Sequence, residues 1–193
     1  LTLLFINWAG KQIDLISLSI TPLSQVAAVA DFNSNLVAHY TFDEGSGTTA
    51  GDSAGSNTGT LVNGPTWTAG KIGQGLQFDG VNDYVTRNAI SNVGVSGVFT
   101  VSLWFKAAGS TYNIANLITN TLNQSNNQVG ITFQTIGSGT LSAGVFNGTT
   151  YLGRKSVAFT DTKKWHFIAV TWDGTTMTAS LDNVPMTGTN FPN

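Results

Sequence analysis

Hydrophobic and polar positions alternate with a period of two over short runs, and each run ends in a cluster of Gly, Asn, Asp, Ser or Thr. Val98–Lys106 shows the pattern best. Phe99, Val101, Leu103 and Phe105 alternate with Thr100, Ser102, Trp104 and Lys106. That predicts a strand with one core face and one polar face carrying a single large aromatic. Trp165–Trp172 is apolar on both faces, as expected of a covered central strand. Gly73–Val85 reads as strand, turn, strand: Leu76 and Phe78 alternate with Gly75 and Gln77, Asp79-Gly80 turns the chain, and Tyr84-Val85 restarts a strand. Leu36–Phe42 predicts the first strand, with Leu36, Ala38, Tyr40 and Phe42 on one face. Thr48–Gly59 predicts a polar surface loop. Thr60–Val62 predicts a short strand, and Asn63-Gly64-Pro65 a turn ahead of a second short segment at Trp67. Ile114–Asn120, Val129–Ile136, Leu141–Phe146, Tyr151–Phe159 and Thr176–Leu181 complete the set, with a hairpin signal at Asn147-Gly148. After residue 34 no window carries the i, i+3, i+4, i+7 stripe of a helix. Roughly ten short strands at close spacing predict an all-β fold, a two-sheet antiparallel sandwich of jelly-roll type.

Composition narrows the function. The chain has 193 residues, 9% charged and 41% hydrophobic, with 22 glycines, which suits one β domain with a sizeable core. Net charge is −2, and among the eight Lys+Arg only Arg154-Lys155 and Lys163-Lys164 are adjacent. No basic stripe for nucleic acid is present. There is no cysteine, and no run approaches the ~18 apolar residues of a membrane span. Residues 1–34 differ from the rest and are set apart as an appendage: a linker, the tail of an upstream domain, or a leader. Ala28-Val29-Ala30 has the small-x-small form of a signal-peptidase site, although Asp14 and Pro22 interrupt the apolar run before it. The jelly-roll domain is assigned to residues 35–193.

The chemistry-bearing residues are sparse. A glycosidase needs two carboxylates, about 5–5.5 Å apart for retention or about 6.5–9.5 Å for inversion. The chain has one Glu, and no E-x-D-x-E strand; Asp43 and Glu44 are adjacent and would face opposite ways on a strand, while Asp79 and Asp83 lie in a turn. Gly51-Asp52-Ser53-Ala54-Gly55 matches G-x-S-x-G, but a polar loop flanks it where a nucleophile elbow has a strand and a helix. The only possible bases are His39 and His166, and His166 reads as a hydrogen-bonded strand histidine. Gly45–Ala50 fits G-x-G-x-x-A with no helix after it to cradle a phosphate. Zinc does not fit a chain with two distant histidines and no cysteine. Calcium takes oxygen ligands, and Asp43, Glu44, Asp52 and Asn57 supply them around one loop; Asx turns use the same groups.

Four segments together resemble the laminin-G-like, concanavalin A-like lectin/glucanase jelly roll: LVAHYTFDEGSGTTAGDSAGSNTGTL, GPTWTAGKIGQGLQFDGVNDYV, FTVSLWFK and KKWHFIAVTWDGTTMTASLDN. The resemblance spans roughly residues 36–190, in the family's order and spacing. It implies two packed antiparallel sheets in an extracellular carbohydrate- or protein-binding module of a larger secreted or surface protein. It also implies a structural calcium, with Glu44 and Asp52 as ligands and Asn57 or carbonyls nearby. Sugar binding in such modules uses aromatic faces and planar polar side chains, and the candidates off the predicted core are Trp104, Tyr112, Tyr151 and Arg154. Members usually end in a strand like F-x-G-x-I-D-x-V-x-I-Y, which is not found before Asn193. The expectation is a piece cut at both ends, whose Leu1–Trp8 could fill the vacated sheet edge. The function expected is non-catalytic recognition of a glycan or polysaccharide. A protein-binding or adhesion module of the same fold is the alternative, and a glycoside hydrolase ranks third.

Overall fold

The computed structural model describes residues 2–4, 35–87, 97–107, 115–119, 129–136, 139–147, 150–161 and 163–190, and contains no helix among them. In chain order the strands are β1 (Thr2–Leu4), β2 (Thr49–Ala50), β3 (Gly59–Val62), β4 (Thr66–Ala69), β5 (Gln74–Gln77), β6 (Tyr84–Thr86), β7 (Phe99–Phe105) and β8 (Ala115–Thr119). They continue as β9 (Val129–Ile136), β10 (Thr140–Asn147), β11 (Tyr151–Ala158), β12 (His166–Trp172), β13 (Met177–Leu181), β14 (Val184–Pro185) and β15 (Thr187–Asn190). Among the described residues there are two five-stranded sheets, ordered β1-β7-β12-β13-β14 and β15-β11-β10-β9-β8. A three-stranded sheet β2-β3-β6 and a hairpin β4-β5 stand beside them. Thr2–Leu4 runs parallel to Phe99–Val101, and the other pairings are antiparallel.

Side-chain alternation builds the first large sheet. β12 buries His166, Ile168, Val170 and Trp172 and leaves the residues between them half-buried. It lies between β7 and β13, so the central position predicted for it holds. Its inward side chains continue as rows across three strands: Phe99–Trp172–Met177, Val101–Val170–Ala179 and Leu103–Ile168–Leu181. The second sheet answers with Leu141, Ala143 and Val145 of β10 and Leu152 of β11. Both sets belong to one buried cluster, which makes the two sheets a sandwich. Each Val, Leu, Ile, Phe or Met side chain in it contributes about 1.5–3 kcal/mol on burial. Asp182 and Asn183, at φ +49° and +68°, close the β13–β14 hairpin in the left-handed conformation that a two-residue turn with the right twist requires.

Three expectations need correction. Leu36–Phe42 forms no strand beyond an isolated bridge at Leu36. Its backbone is held by the side chains and amides of residues 52–57 instead of a ladder. The period of two survives locally, since the Tyr40 and Phe42 rings stack with centroids 6.0 Å apart. Thr49–Ala50, placed inside a loop by its polarity, pairs with Gly59–Thr60. Gly73–Val85 is strand, turn, strand as read, with β5 paired to β4 and β6 to β3, so the Asp79-Gly80 turn carries the chain between sheets. Phe78 then lies beyond β5 and is 45% exposed, while Gly75 is buried. Gly148 of the Asn147-Gly148 turn and Tyr112 lie outside the described residues.

Candidate ligand-binding site

The acidic side chains come first, because both calcium binding and hydrolysis would need them. Every acidic side chain among the described residues accepts at least one backbone N–H bond. Asp43 takes the amide of Gln74 at 2.8 Å and Glu44 that of Gly51 at 2.6 Å. Asp79 takes Val81 and Asn82, Asp83 takes Asp79, and Asp173 takes Thr175 and Thr176. These are Asx-type fasteners of turns. The pKa values of Asp52, Asp79, Asp161 and Asp173 are all held below the usual carboxylate value, opposite to the direction a general acid needs.

Asp52 is the most heavily used. Its Oδ1 accepts from the His39 and Ala54 amides at 2.8 and 2.9 Å, and its Oδ2 from the amide and the Nδ2 of Asn57 at 3.0 and 2.8 Å. Burial pushes its pKa up, and the hydrogen bonds from His39, Ala54 and Asn57 outweigh that and hold it down. Nδ2 of Asn57 also donates to the Val37 carbonyl at 2.8 Å, and the Tyr40 hydroxyl donates to the Asn57 carbonyl. This network ties residues 37–40 to the loop. It also tests the implied calcium. A carboxylate offers about four acceptor positions, and N–H donors fill those of Asp52. Asn57 turns its NH₂ toward the would-be metal partner, and Glu44 is engaged with Gly51. Glu44, Asp52 and Asn57 therefore do not fit a calcium cage as arranged, and no group of three acidic or histidine side chains among the described residues is placed to hold an ion.

Ser53 and His39 do meet, which the loop motif alone did not foretell. Nδ1 of His39 lies 2.6 Å from Oγ of Ser53, while that hydroxyl donates to the His39 carbonyl at 3.2 Å. With its proton committed there, Oγ accepts from Nδ1–H, so the imidazole is a donor to the serine and not its base. The amides that could form an oxyanion hole are bonded as well: Ser53 N–H to the His39 carbonyl, Ala54 N–H to Asp52. Burial lowers the basicity of His39, with Asp52 opposing, which keeps the ring neutral. The match to G-x-S-x-G is a loop fastener. Ala50 begins no helix either; β2 occupies Thr49–Ala50, and Trp67 Nε1 donates to the Gly47 carbonyl at 3.0 Å. His166 is a strand histidine bonded on both sides, Nδ1 to Asp182 Oδ2 and Nε2 to the Asp161 carbonyl, each at 2.7 Å.

The remaining candidates divide. Trp104 and Phe167 are register partners on β7 and β12, and their rings pack at 5.2 Å. Nζ of Lys71, from the β4–β5 turn, sits 5.3 Å from the Trp104 ring centre, so that indole is half-buried and capped. Tyr151 and Arg154 are brought together. Residues three apart on a regular strand face opposite ways. Here the pairing of β10 with β11 shifts between Val145 and Phe146: Gly144 faces Arg154, but Phe146 faces Tyr151. The extra residue, Leu152, turns into the core, and Tyr151 and Arg154 share the outer face. Arg154 has Gly144 across from it on β10 and Thr189 on β15, and its guanidinium lies 5.6 Å from the Tyr151 ring centre. The ring of Phe146 lies 5.0 Å from that of Tyr151. Phe146 escaped the sequence reading because only the shifted register moves it beside Tyr151. The result is a flat, exposed guanidinium against the Tyr151 ring, which the Phe146 ring packs against in turn, on one sheet face.

With this geometry in hand, the comparison with protein families is direct. The family model described as the concanavalin A-like lectin/glucanases superfamily, laminin G type, matches residues 79–193. The chain belongs to this superfamily. The match covers the last β5–β6 turn and both large sheets from β7 onward, so the concanavalin A-like sandwich and the strand rows described above agree. The superfamily unites lectins and glucanases, and the acidic residues and ring cluster described above are where the two would differ. No curated protein and no solved structure matches the chain.

Proposed function

We propose that this concanavalin A-like domain is a recognition module that binds glycans through Arg154, Tyr151 and Phe146 and cleaves no bond. The observation that carries this reading is the ring-backed guanidinium on the outer face of β11. Saccharides present apolar C–H faces and rings of hydroxyls. Two aromatic side chains supply the apolar wall, and an arginine fixed on a ring supplies donors already in place, so less rotamer entropy is lost on binding. The use of the described acids as backbone fasteners supports a binding role over hydrolysis. An extracellular or cell-surface setting goes with this reading.

The test is a glycan array probed with the domain, followed by titration of the best glycan into Arg154→Met and Tyr151→Ala. Saturable binding that weakens about tenfold in Arg154→Met is expected, since a charge-assisted hydrogen bond contributes about 1.5–3 kcal/mol. Tyr151→Ala should weaken it as well by freeing the guanidinium. A silent array, or binding indifferent to both substitutions, overturns the assignment, and capture of a protein ligand through the same residues would favour the adhesion reading. Glycan cleavage lost in a carboxylate variant would favour the hydrolase.

A further inference from the structure

Asn63-Gly64 turns the chain between β3 and β4 in the left-handed conformation, Asn63 at φ +67° and Gly64 at φ +107°. Both residues are exposed, and nothing lies within 4 Å of where a Gly64 Cβ would stand. Among the described residues no group accepts from the Gly64 amide. The Asn63 side chain, in contrast, is engaged: its Nδ2 donates to the Asn82 carbonyl at 2.6 Å. That bond adds a rung just beyond the last ladder pair of β3 and β6, Val62 with Tyr84. The 79–83 turn at its far end is closed on itself. Asp79 Oδ1 accepts from the amides of Val81 and Asn82 at 2.8 and 3.3 Å, and Asp83 Oδ2 accepts from that of Asp79 at 3.0 Å. Among the described side chains it is Asn63 that ties this closed turn to the β3–β4 turn.

An asparagine followed by glycine loses its amide without an enzyme when the next backbone nitrogen can reach it. The deprotonated Gly64 nitrogen attacks Cγ of Asn63, the new N–C bond closes a succinimide ring, and Nδ2 takes up a proton and leaves as ammonia. Water then adds to either ring carbonyl, the ring opens, and aspartate or isoaspartate remains. Water is the only co-reactant, and nothing is oxidised or reduced. Gly64 suits the attack, because no Cβ obstructs ring closure and its amide has no described acceptor to give up. The leaving group is the same nitrogen that holds Asn82. We propose that Asn63 is a deamidation site, restrained by its bond to Asn82 and released from it by the reaction. The product has carboxylate oxygens where an N–H donor stood, and these repel the Asn82 carbonyl. They also add one negative charge beside a turn that already holds the Asp79 and Asp83 carboxylates. Pro65, next in the chain, is buried and anchors the β3–β4 side. The 79–83 turn is therefore the part that moves, and with it Val81 and Tyr84, which are 83% and 48% exposed.

The experiment incubates the protein in mildly alkaline buffer beside a peptide of the sequence Leu61–Trp67, and follows both by peptide mass spectrometry and an isoaspartate methyltransferase assay. Asn63 should convert in the protein about two- to tenfold more slowly than in the peptide, the factor expected when one hydrogen bond must open first. The fraction converted at Asn63, and not at Asn147 of the other Asn-Gly pair, is then separated by its added charge. Its backbone amide shifts should centre on Asp79–Tyr84, and it should melt about 2–4 °C below the unmodified protein, as the loss of one hydrogen bond implies. Asn63→Asp should reproduce both changes without incubation. Asn63→Gln, whose longer side chain closes a larger ring far less readily, should show no conversion at that position. No conversion at Asn63 while the peptide converts, a rate equal to the peptide's, or a converted protein whose Asp79–Tyr84 amides stay in place overturns the proposal.

Discussion

Replacing Asp52 with alanine would remove one side chain that satisfies four donors. Three of its four bonds, from the His39 amide and from the amide and Nδ2 of Asn57, are part-buried, and the one from Ala54 is exposed. Water can replace Asp52 at Ala54 at little cost. Each of the other three contributes on the order of 1 kcal/mol, so Asp52→Ala should cost about 2–3 kcal/mol. In a domain of this size each kcal/mol lowers the melting temperature by about 2–4 °C, which gives a drop of about 5–10 °C. Asp52→Asn keeps one acceptor oxygen and should lose roughly half as much. Thermal melts and urea titration of the three proteins are the assay. An alanine variant that melts within a degree of the wild type would show that the network does not fasten the N-terminal segment, and the account of why residues 37–42 need no ladder would fail with it.

Three more predictions concern pH, metal and backbone. The pKa of His39 is lowered from 6.5 by burial, with Asp52 opposing, so the unfolded chain takes up a proton first; stability should begin to fall as pH drops through about 6.5, and His39→Gln should remove that part of the fall. Asp52, lowered from 3.8, adds a second loss below about 3.8 that ends once its folded form is also protonated, and an acid titration of melting temperature resolves the two. Since N–H donors fill the Asp52 carboxylate, removal of calcium with a chelator should leave the melting curve unchanged; a rise on adding calcium back would mean that Asp52, Asn57 and Glu44 rearrange around the ion. Gly188 has φ +147°, and a Cβ there would overlap the Arg154 carbonyl oxygen, so Gly188→Ala should cost about 1–3 kcal/mol and weaken glycan binding by displacing β11 at Arg154. Urea titration combined with the glycan titration separates the two effects.

What the sequence disclosed tracks how local the cause is. β7 and β12 could be predicted because alternation and burial act on the same few residues. Leu36–Phe42 alternates as well as any strand, yet its backbone partners are the Asp52 carboxylate, the Asn57 side chain and the Ser53 amide, which no pattern within the segment announces. Asp52 and Asn57 were singled out as oxygen donors, and the structure joins them; residue type could not say that donors from the chain itself would occupy them. Trp104 was placed correctly on the outer face of β7, but its cover comes from Phe167 and Lys71, distant in sequence. The β2-β3-β6 sheet was invisible because it depends on β6 crossing to β3 in place of folding back on β5.

The irregularity between Val145 and Phe146 has a consequence for how this surface could change over generations. Tyr151 and Arg154 keep a common face because the surplus residue, Leu152, is taken up by the core. Losing Leu152 by a three-nucleotide deletion would set the two residues two positions apart on an uninterrupted ladder, still on one face, and would remove a buried side chain. The outer cluster can thus outlast a change of strand length that the core would register.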